Sequence, residues 1–314
     1  MPGPSPSLTL WATYTLTTAT VSVGLDSAGY EVLSRILLAL SCASWLGAVA
    51  YAVLRLPGTA WREETPAALT FTAATALVGT GFRAAGLRDT AAGLLALAAL
   101  LWIPLLGARV PDRQGAVFLR CVATQGLAVL GAAHAAAGSA AWLAYTALVL
   151  FWLGLALYVV ALFRFRPRQM TDGAGEHWLA AGGLGVSALA GALLLGADRG
   201  GFPLWNDDDR TVLTRAAVAL LVLTPVCCVV LLTAELMRPR HRYDVSRWAT
   251  VFVVAVTAAA ALALAAALDV PWLDGAGQAL LWVAVAVWLG CTAWAVVSAR
   301  AGGGVGRVRS RARR

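Results

Sequence analysis

No lysine occurs anywhere in the 314 residues, so all 24 basic side chains are arginine. Charge of either sign is scarce: Asp, Glu, Lys and Arg together make up 13% of the chain, about half of the roughly 25% typical of soluble domains. With 60% hydrophobic residues and a mean hydropathy of +0.75, too little polar surface remains to keep a chain of this length in water. Clustered His, Cys, Asp or Glu are also missing, which removes the usual metal and catalytic constellations. The five cysteines, at 42, 121, 227, 228 and 291, contain no CxxC pair and read as small apolar packing residues. Met1 to Ser7 carries no positive charge, and the first cation is Arg35, which argues against a cleaved signal peptide.

What the sequence does contain is apolar runs. Ten segments stand out, at about 8–25, 31–54, 66–83, 89–107, 115–137, 140–163, 176–197, 211–236, 248–268 and 275–298. Each approaches or exceeds the ~18 residues that mark a membrane span. The links between them are short and hold breakers such as Pro57-Gly58, Pro111-Asp112, Arg166-Pro167, Gly200-Gly201 and Pro239. The expected fold class is all-α integral membrane, with ten transmembrane helices in one domain over residues 1–300 and a basic cytoplasmic tail at 301–314. No soluble domain fits in what is left.

Arginine placement orients the chain. Clusters follow the second, fourth, sixth, eighth and tenth segments: Arg55 and Arg62; Arg109 and Arg113; Arg164, Arg166 and Arg168; Arg238, Arg240 and Arg242; Arg300 and the tail. The opposite links lean acidic, with Asp26, Glu31, Asp89, Asp198, Asp207–Asp209, Asp269 and Asp274, although Arg83, Arg88, Arg199 and Arg210 also lie there. The positive-inside rule then puts both termini in the cytoplasm of a cell whose plasma membrane holds the protein. A pI near 9.8 would point to nucleic acid in a soluble protein; here topology accounts for the charge, and no nucleic-acid partner is expected. The clusters recur once per helical pair, which reads as five helical hairpins, an internal repeat of the kind common in transport folds.

Within each pair the first helix is rich in small and hydroxyl residues. Helix 1 has Thr13, Thr15, Thr17, Thr18, Thr20 and Ser22; helix 3 has Thr70, Thr72, Thr75 and Thr80; helix 5 has Thr124 and Gln125; helix 7 has Gly182, Gly183, Gly185, Ser187 and Gly191; helix 9 has Thr250 and Thr257. The second helices are heavier, as in Leu148–Trp152 and Leu280–Val285. Small and hydroxyl residues belong at helix contacts or facing water, and bulky ones face lipid. The simplest arrangement is an inner ring of odd helices around a central pore, inside an outer ring of even ones. The plainer alternative is that small residues merely permit close packing.

Isolated polar residues have modest readings. His134 lies among alanines near the outer end of helix 5. Asp207–Asp209 precede helix 8 and suit an N-terminal turn better than a cation site. Glu235 sits near the inner end of helix 8, one turn from Arg238, and reads as an interfacial ion pair; a proton relay is the alternative. Gly302–Gly306 imitates a phosphate loop without the strand and helix that such a loop needs, and the tail reads as basic chain near anionic lipid. The deep parts of the odd helices hold no Asp, Glu, Lys or Arg. Cation pathways present acidic rings and proton-coupled carriers bury ionisable groups, so such a path suits passive movement of a weakly bound solute. Basic inner mouths would concentrate anions. No cofactor or metal is called for.

Several stretches resemble one family. Val122-Ala123-Thr124-Gln125 through Gly131 is similar to the fifth helix of the tellurite-resistance/dicarboxylate transporter family, which includes slow anion channels. Trp178 through Ala192 resembles its seventh helix, and Arg242-Tyr243-Asp244 with Trp248 and Phe252 resembles the start of its ninth. Thr70-Phe71 with Thr75 and Gly79 matches the third more loosely, and Thr18 through Ser22 the first. Val253 stands where Pro commonly follows the Phe, Ala19 where Gly is usual, and Ala76 where Asn is common. The resemblance implies a channel-like transporter of small anions, whether C4-dicarboxylates, inorganic oxyanions such as tellurite and sulfite, or halides. It also implies a homotrimer, a pore closed by Phe252, and lining residues at Thr18, Ser22, Phe71, Thr75, Thr124, Gln125, Gly182, Ser187 and Thr257. A large ring on the otherwise slender stretch Thr250 to Thr257 could equally be ordinary packing. A membrane scaffold or an intramembrane enzyme is the rival function; it lacks a docking loop on one count and a nucleophile–base pair on the other.

Overall fold

The computed structural model describes residues 7–55, 64–108, 116–136, 141–164, 178–198, 205–237 and 247–311. Among these the chain is helical throughout, without a strand: α1 Leu8–Ser27, α2 Glu31–Arg55, α3 Thr65–Ala84, α4 Arg88–Leu106, α5 Leu119–Ala135, α6 Ala141–Arg164, α7 Trp178–Ala197, α8 Asp207–Met237, α9 Arg247–Leu268 and α10 Pro271–Arg311, with a short 3-10 turn, Ala116–Phe118, before α5. Eight of them, α2 and α4 to α10, are long and apolar enough to cross a membrane, and the chain is a multi-pass membrane protein. α1 and α3 fall outside that group because threonine dilutes them, six in α1 and five in α3. Both are as long as a span, since 20 residues rise about 30 Å.

Two departures from the expected boundaries have local causes. α8 starts at Asp207 rather than 211, because Asn206 caps it: its side-chain oxygen accepts from the Asp209 amide at 2.7 Å. The three aspartates therefore form the first turn, where the positive end of the helix dipole favours them. α10 starts at Pro271 rather than 275, since proline suits the first helical position. The basic tail expected from 301 begins within α10, which runs to Arg311; 312–314 lie outside the described residues. So do the expected breakers at 57–58, 111–112, 166–167, 200–201 and 239, the Arg238–Arg242 cluster, Tyr243 and Asp244.

Three of the tight turns are built alike. α1 ends with Gly29 at φ 84, α3 with Gly86 at φ 84 and α9 with Asp269 at φ 54. In each the following amide reaches back to the last helical turn: Tyr30 to the Leu25 carbonyl at 2.9 Å, Leu87 to Phe82 at 2.9 Å and Val270 to Ala265 at 3.1 Å. This left-handed cap satisfies carbonyls the helix end would otherwise leave open. It also sets α2, α4 and α10 running back along their predecessors.

Burial divides the helices. α5, α7 and α9 are mostly buried within the protein, while the apolar stretches of α2, α4, α6, α8 and α10 are mostly exposed. α1 and α3 belong with the buried set. Each odd helix packs on its even successor, and α1 touches α3, α3 touches α5, α5 touches α7, α7 touches α9 and α9 touches α1. Small residues make these approaches possible. A Cβ on Gly24 would lie 3.7 Å from Ala259, one on Gly79 2.6 Å from Leu130, one on Gly126 3.5 Å from Ala73, and one on Gly183 3.7 Å from Cys121. Where backbones come this near, dispersion replaces the hydrophobic drive that lipid cannot supply.

Candidate functional site

Phe252 is fully buried in α9 and belongs to a cluster fed by all five odd helices, including Leu16, Leu69, Val129, Leu189 and Ala259. Its ring lies over Gly182 of α7: a Cβ at that glycine would come within 2.8 Å of Cε1 and 3.0 Å of Cδ1. Only hydrogen at position 182 leaves room for the ring. Three residues on, a Cβ at Gly185 would come within 2.6 Å of Val256, so α7 offers α9 a seam of glycines. Val253, where a proline was noted as missing, packs with Trp178, Ala181, Leu231 and Ala249, on the α7–α8 side. α9 carries no internal proline.

The other sequence-predicted residues sit in several places. The Thr18 hydroxyl accepts from the Trp288 indole of α10 at 3.0 Å. Thr75 accepts from Trp45 of α2 at 3.0 Å and Thr124 from Trp102 of α4 at 2.8 Å. Ser22 donates to the Ser34 carbonyl of α2 at 2.8 Å. Gln125 donates through Nε2 to the Phe151 carbonyl of α6 at 3.0 Å, and its Oε1 is buried without a hydrogen-bond partner. These five side chains all reach toward even helices. Phe71, half-buried, stacks on Trp45 with ring centres 5.8 Å apart. Ser187 donates to the Gly183 carbonyl of its own helix at 2.7 Å. Thr257 donates to the Val253 carbonyl at 2.6 Å, and its hydroxyl lies 3.6 Å from where a Cβ on Gly185 would be.

The tryptophan partners escaped the sequence reading. Trp45, Trp102 and Trp288 lie 30, 22 and 270 residues from the threonines they clasp, so no local pattern announces them. For Trp45 and Trp288 the available signal was a tryptophan well inside an even helix, away from the interfacial belt where that residue usually sits; Trp102, one turn from the end of α4, gave none.

A cavity of about 800 Å³ lies elsewhere. Leu8, Ala48, Thr65, Phe71, Leu101 and Pro104 are among its lining residues, so it opens among α1 to α4, with a mainly apolar wall. Glu235 accepts from the Trp178 indole at 2.9 Å; Arg238, its expected partner, lies outside the described residues. Nδ1 of His134 lies 3.1 Å from the Leu130 carbonyl. Among the described residues no group of three His, Cys, Asp or Glu side chains is placed to hold a metal. Among the described residues the buried polar ones are threonines, serines, Gln125 and His134.

Buried odd helices and exposed even ones define a polytopic helical membrane protein. The sequence profile of the SLAC1 family, the voltage-dependent anion channels, matches residues 10–296, and the chain belongs to that family. It is therefore an anion channel or transporter, in keeping with the resemblance read from the fifth, seventh and ninth helices. None of the curated proteins compared with it matches the chain.

Proposed function

We propose that all ten helices cross the membrane as five hairpins, and that the odd helices enclose a central anion pore closed by Phe252. The observation that carries this reading is the seating of the Phe252 ring on Gly182, within a cluster drawn from every odd helix. A ring so placed excludes water from a narrow path, as hydrophobic constrictions do. The unbroken succession of odd-helix contacts supports the inner ring. The outward-facing apolar surfaces of α2, α4, α6, α8 and α10 suit lipid and the faces of a homotrimer.

With Gly182 the wall holds apolar and hydroxyl groups near Phe252. Thr18, Ser22, Thr75, Thr124 and Gln125 act by fastening the inner helices to the outer ones, while Ser187 and Thr257 flank the glycine seam of α7. Small anions such as C4-dicarboxylates, tellurite, sulfite or halides pass by weak, repeated contact rather than capture. The arginine-rich links face the cytoplasm of a plasma membrane, together with both termini.

Phe252→Ala tests the gate. Opening a plug raises anion current per folded molecule in planar bilayers or proteoliposomes. A ring that merely packs would leave a cavity costing about 3–5 kcal/mol, with current unchanged or lower in the protein that still folds; that result would refute the gate.

A further inference from the structure

At the start of α5 and the end of α6, Arg120 and Arg164 line one cleft together with Val117, Leu157, Val160 and Ala161. No carboxylate is among these lining residues. Arg120 donates through Nη2 to the Ala108 carbonyl just beyond α4, which anchors its guanidinium, but its Nε is buried and has no hydrogen-bond partner. Arg164 is the last residue of α6 and is exposed. Two like charges sharing one cleft repel one another, and an anion between them reverses the sign of the interaction. Guanidinium forks suit phosphate oxygens in particular.

The surroundings identify the kind of anion. The face of α6 beside the cleft is apolar and uncovered: Val159 is 49% exposed, Val160 48% and Phe163 88%. An apolar helix face running up to a pair of arginines at the end of a membrane span matches a lipid, chains along the helix and phosphate at its tip. Headgroup phosphates lie at this depth in any bilayer, and basic residues near that surface draw anionic lipid. We propose that this cleft is an anionic-phospholipid site, in which Arg120 and Arg164 hold the phosphate and the acyl chains lie on α6. It is separate from the gate, being on the outer side of α5.

Native mass spectrometry of the purified full-length protein tests this, with dioleoyl-phosphatidylglycerol, diolein and sodium phosphate as probes. Phosphatidylglycerol should be retained, diolein, which has the same chains without phosphate, should not, and sodium phosphate should fail to displace the lipid. Arg164→Gln should weaken phosphatidylglycerol binding about fivefold, and the double variant with Arg120→Gln should weaken it further. Arg215→Gln, an exposed arginine on α8, should leave it unchanged. Arg164 is exposed, so its variant decides the matter if Arg120→Gln fails to fold. Equal retention by wild type and Arg164→Gln, or equal retention of diolein, would overturn the proposal. Displacement by sodium phosphate would overturn the lipid assignment and put a soluble anion in the cleft.

Discussion

The Phe252 ring occupies space that any side chain at Gly182 would claim: a Cβ there would stand 2.8 Å from Cε1. The two residues come from different helices, α9 and α7, and the fit depends on the glycine having no side chain. Phe252 is buried on all sides, so its ring has no free direction in which to retreat. Gly182→Ala should therefore overpack the site and destabilise the protein by about 1–3 kcal/mol. In a Phe252→Ala background the added methyl should meet no ring, and most of that cost should vanish. Thermal melts of the four proteins in one detergent make the double-mutant cycle. Additive losses would show that Gly182 serves something other than the ring.

Three indole clasps join outer helices to inner ones, and two of them share a detail. Thr75 and Thr124 each donate their single proton to the carbonyl one turn back, at 2.8 Å, and offer a lone pair to Trp45 or Trp102. The hydroxyl is thus satisfied in both roles. Trp102→Phe keeps most of the ring and removes the N–H, so it should cost about 0.5–1.5 kcal/mol. Thr124→Val, which leaves the part-buried indole N–H without this acceptor, should cost about as much. Equilibrium unfolding in mixed micelles measures both. A neutral Thr124→Val would mean that the indole finds another acceptor.

Helix positions were largely legible in the sequence, while helix faces were not. Apolar length located α1 to α9 to within about four residues at each end, because a span must satisfy its own backbone, while α10 runs on to Arg311, well past the expected end at 298. The starts of α8 and α10 were missed because an Asn206 cap and a Pro271 first turn extend helices past their apolar cores. Hydroxyl-rich helices were rightly separated from leucine-rich ones, since small polar groups cannot face lipid in quantity. Which neighbour each hydroxyl meets was hidden. Thr18 is 270 residues from the Trp288 that clasps it, and a helical repeat says only that a face is polar. Phe252 stood out as the large ring on the slender stretch Thr250 to Thr257, but its seat on Gly182 needed coordinates.

The left-handed turn at Gly86 offers a clean test of the turn chemistry. Nothing lies within 4 Å of a Cβ placed there, so the backbone alone carries the penalty. Its φ of 84 costs an L-residue about 1–2 kcal/mol. Gly86→Ala should lower stability by that amount, with anion flux per folded molecule unchanged. A loss of flux at full stability would mean that the α3–α4 turn takes part in conduction.

The topology proposed from the arginine clusters is tested by single cysteines in a cysteine-free background. A cysteine at Asp207, in the exposed first turn of α8, should react with a membrane-impermeant maleimide added outside intact cells. A cysteine at Arg307 should react only after the membrane is permeabilised. Labelling of position 307 from outside would invert or break the ten-span arrangement.

Transport should run without a proton gradient. Proton-coupled carriers bury an ionisable group along the path; among the described residues the buried polar side chains are threonines, serines, Gln125 and one ionisable group, His134, which sits in the last turn of α5 with Nδ1 3.1 Å from the Leu130 carbonyl of its own helix. Among the described carboxylates, Glu235 lies deepest along an apolar helix, and it is engaged: it accepts from the Trp178 indole at 2.9 Å. That bond ties the end of α8 to the start of α7, one turn before Gly182. Glu235→Gln keeps an acceptor oxygen for the indole but drops the charge, and a hydrogen bond to a neutral acceptor is weaker by about 1 kcal/mol. Stability should therefore dip slightly, while the reversal potential in asymmetric salt should stay anion-selective and flux at equal pH on both sides should persist. Proteoliposomes with and without an imposed pH gradient decide this. Flux that appears only with the gradient and disappears in Glu235→Gln would make that carboxylate a proton carrier, and the passive pore would have to be abandoned.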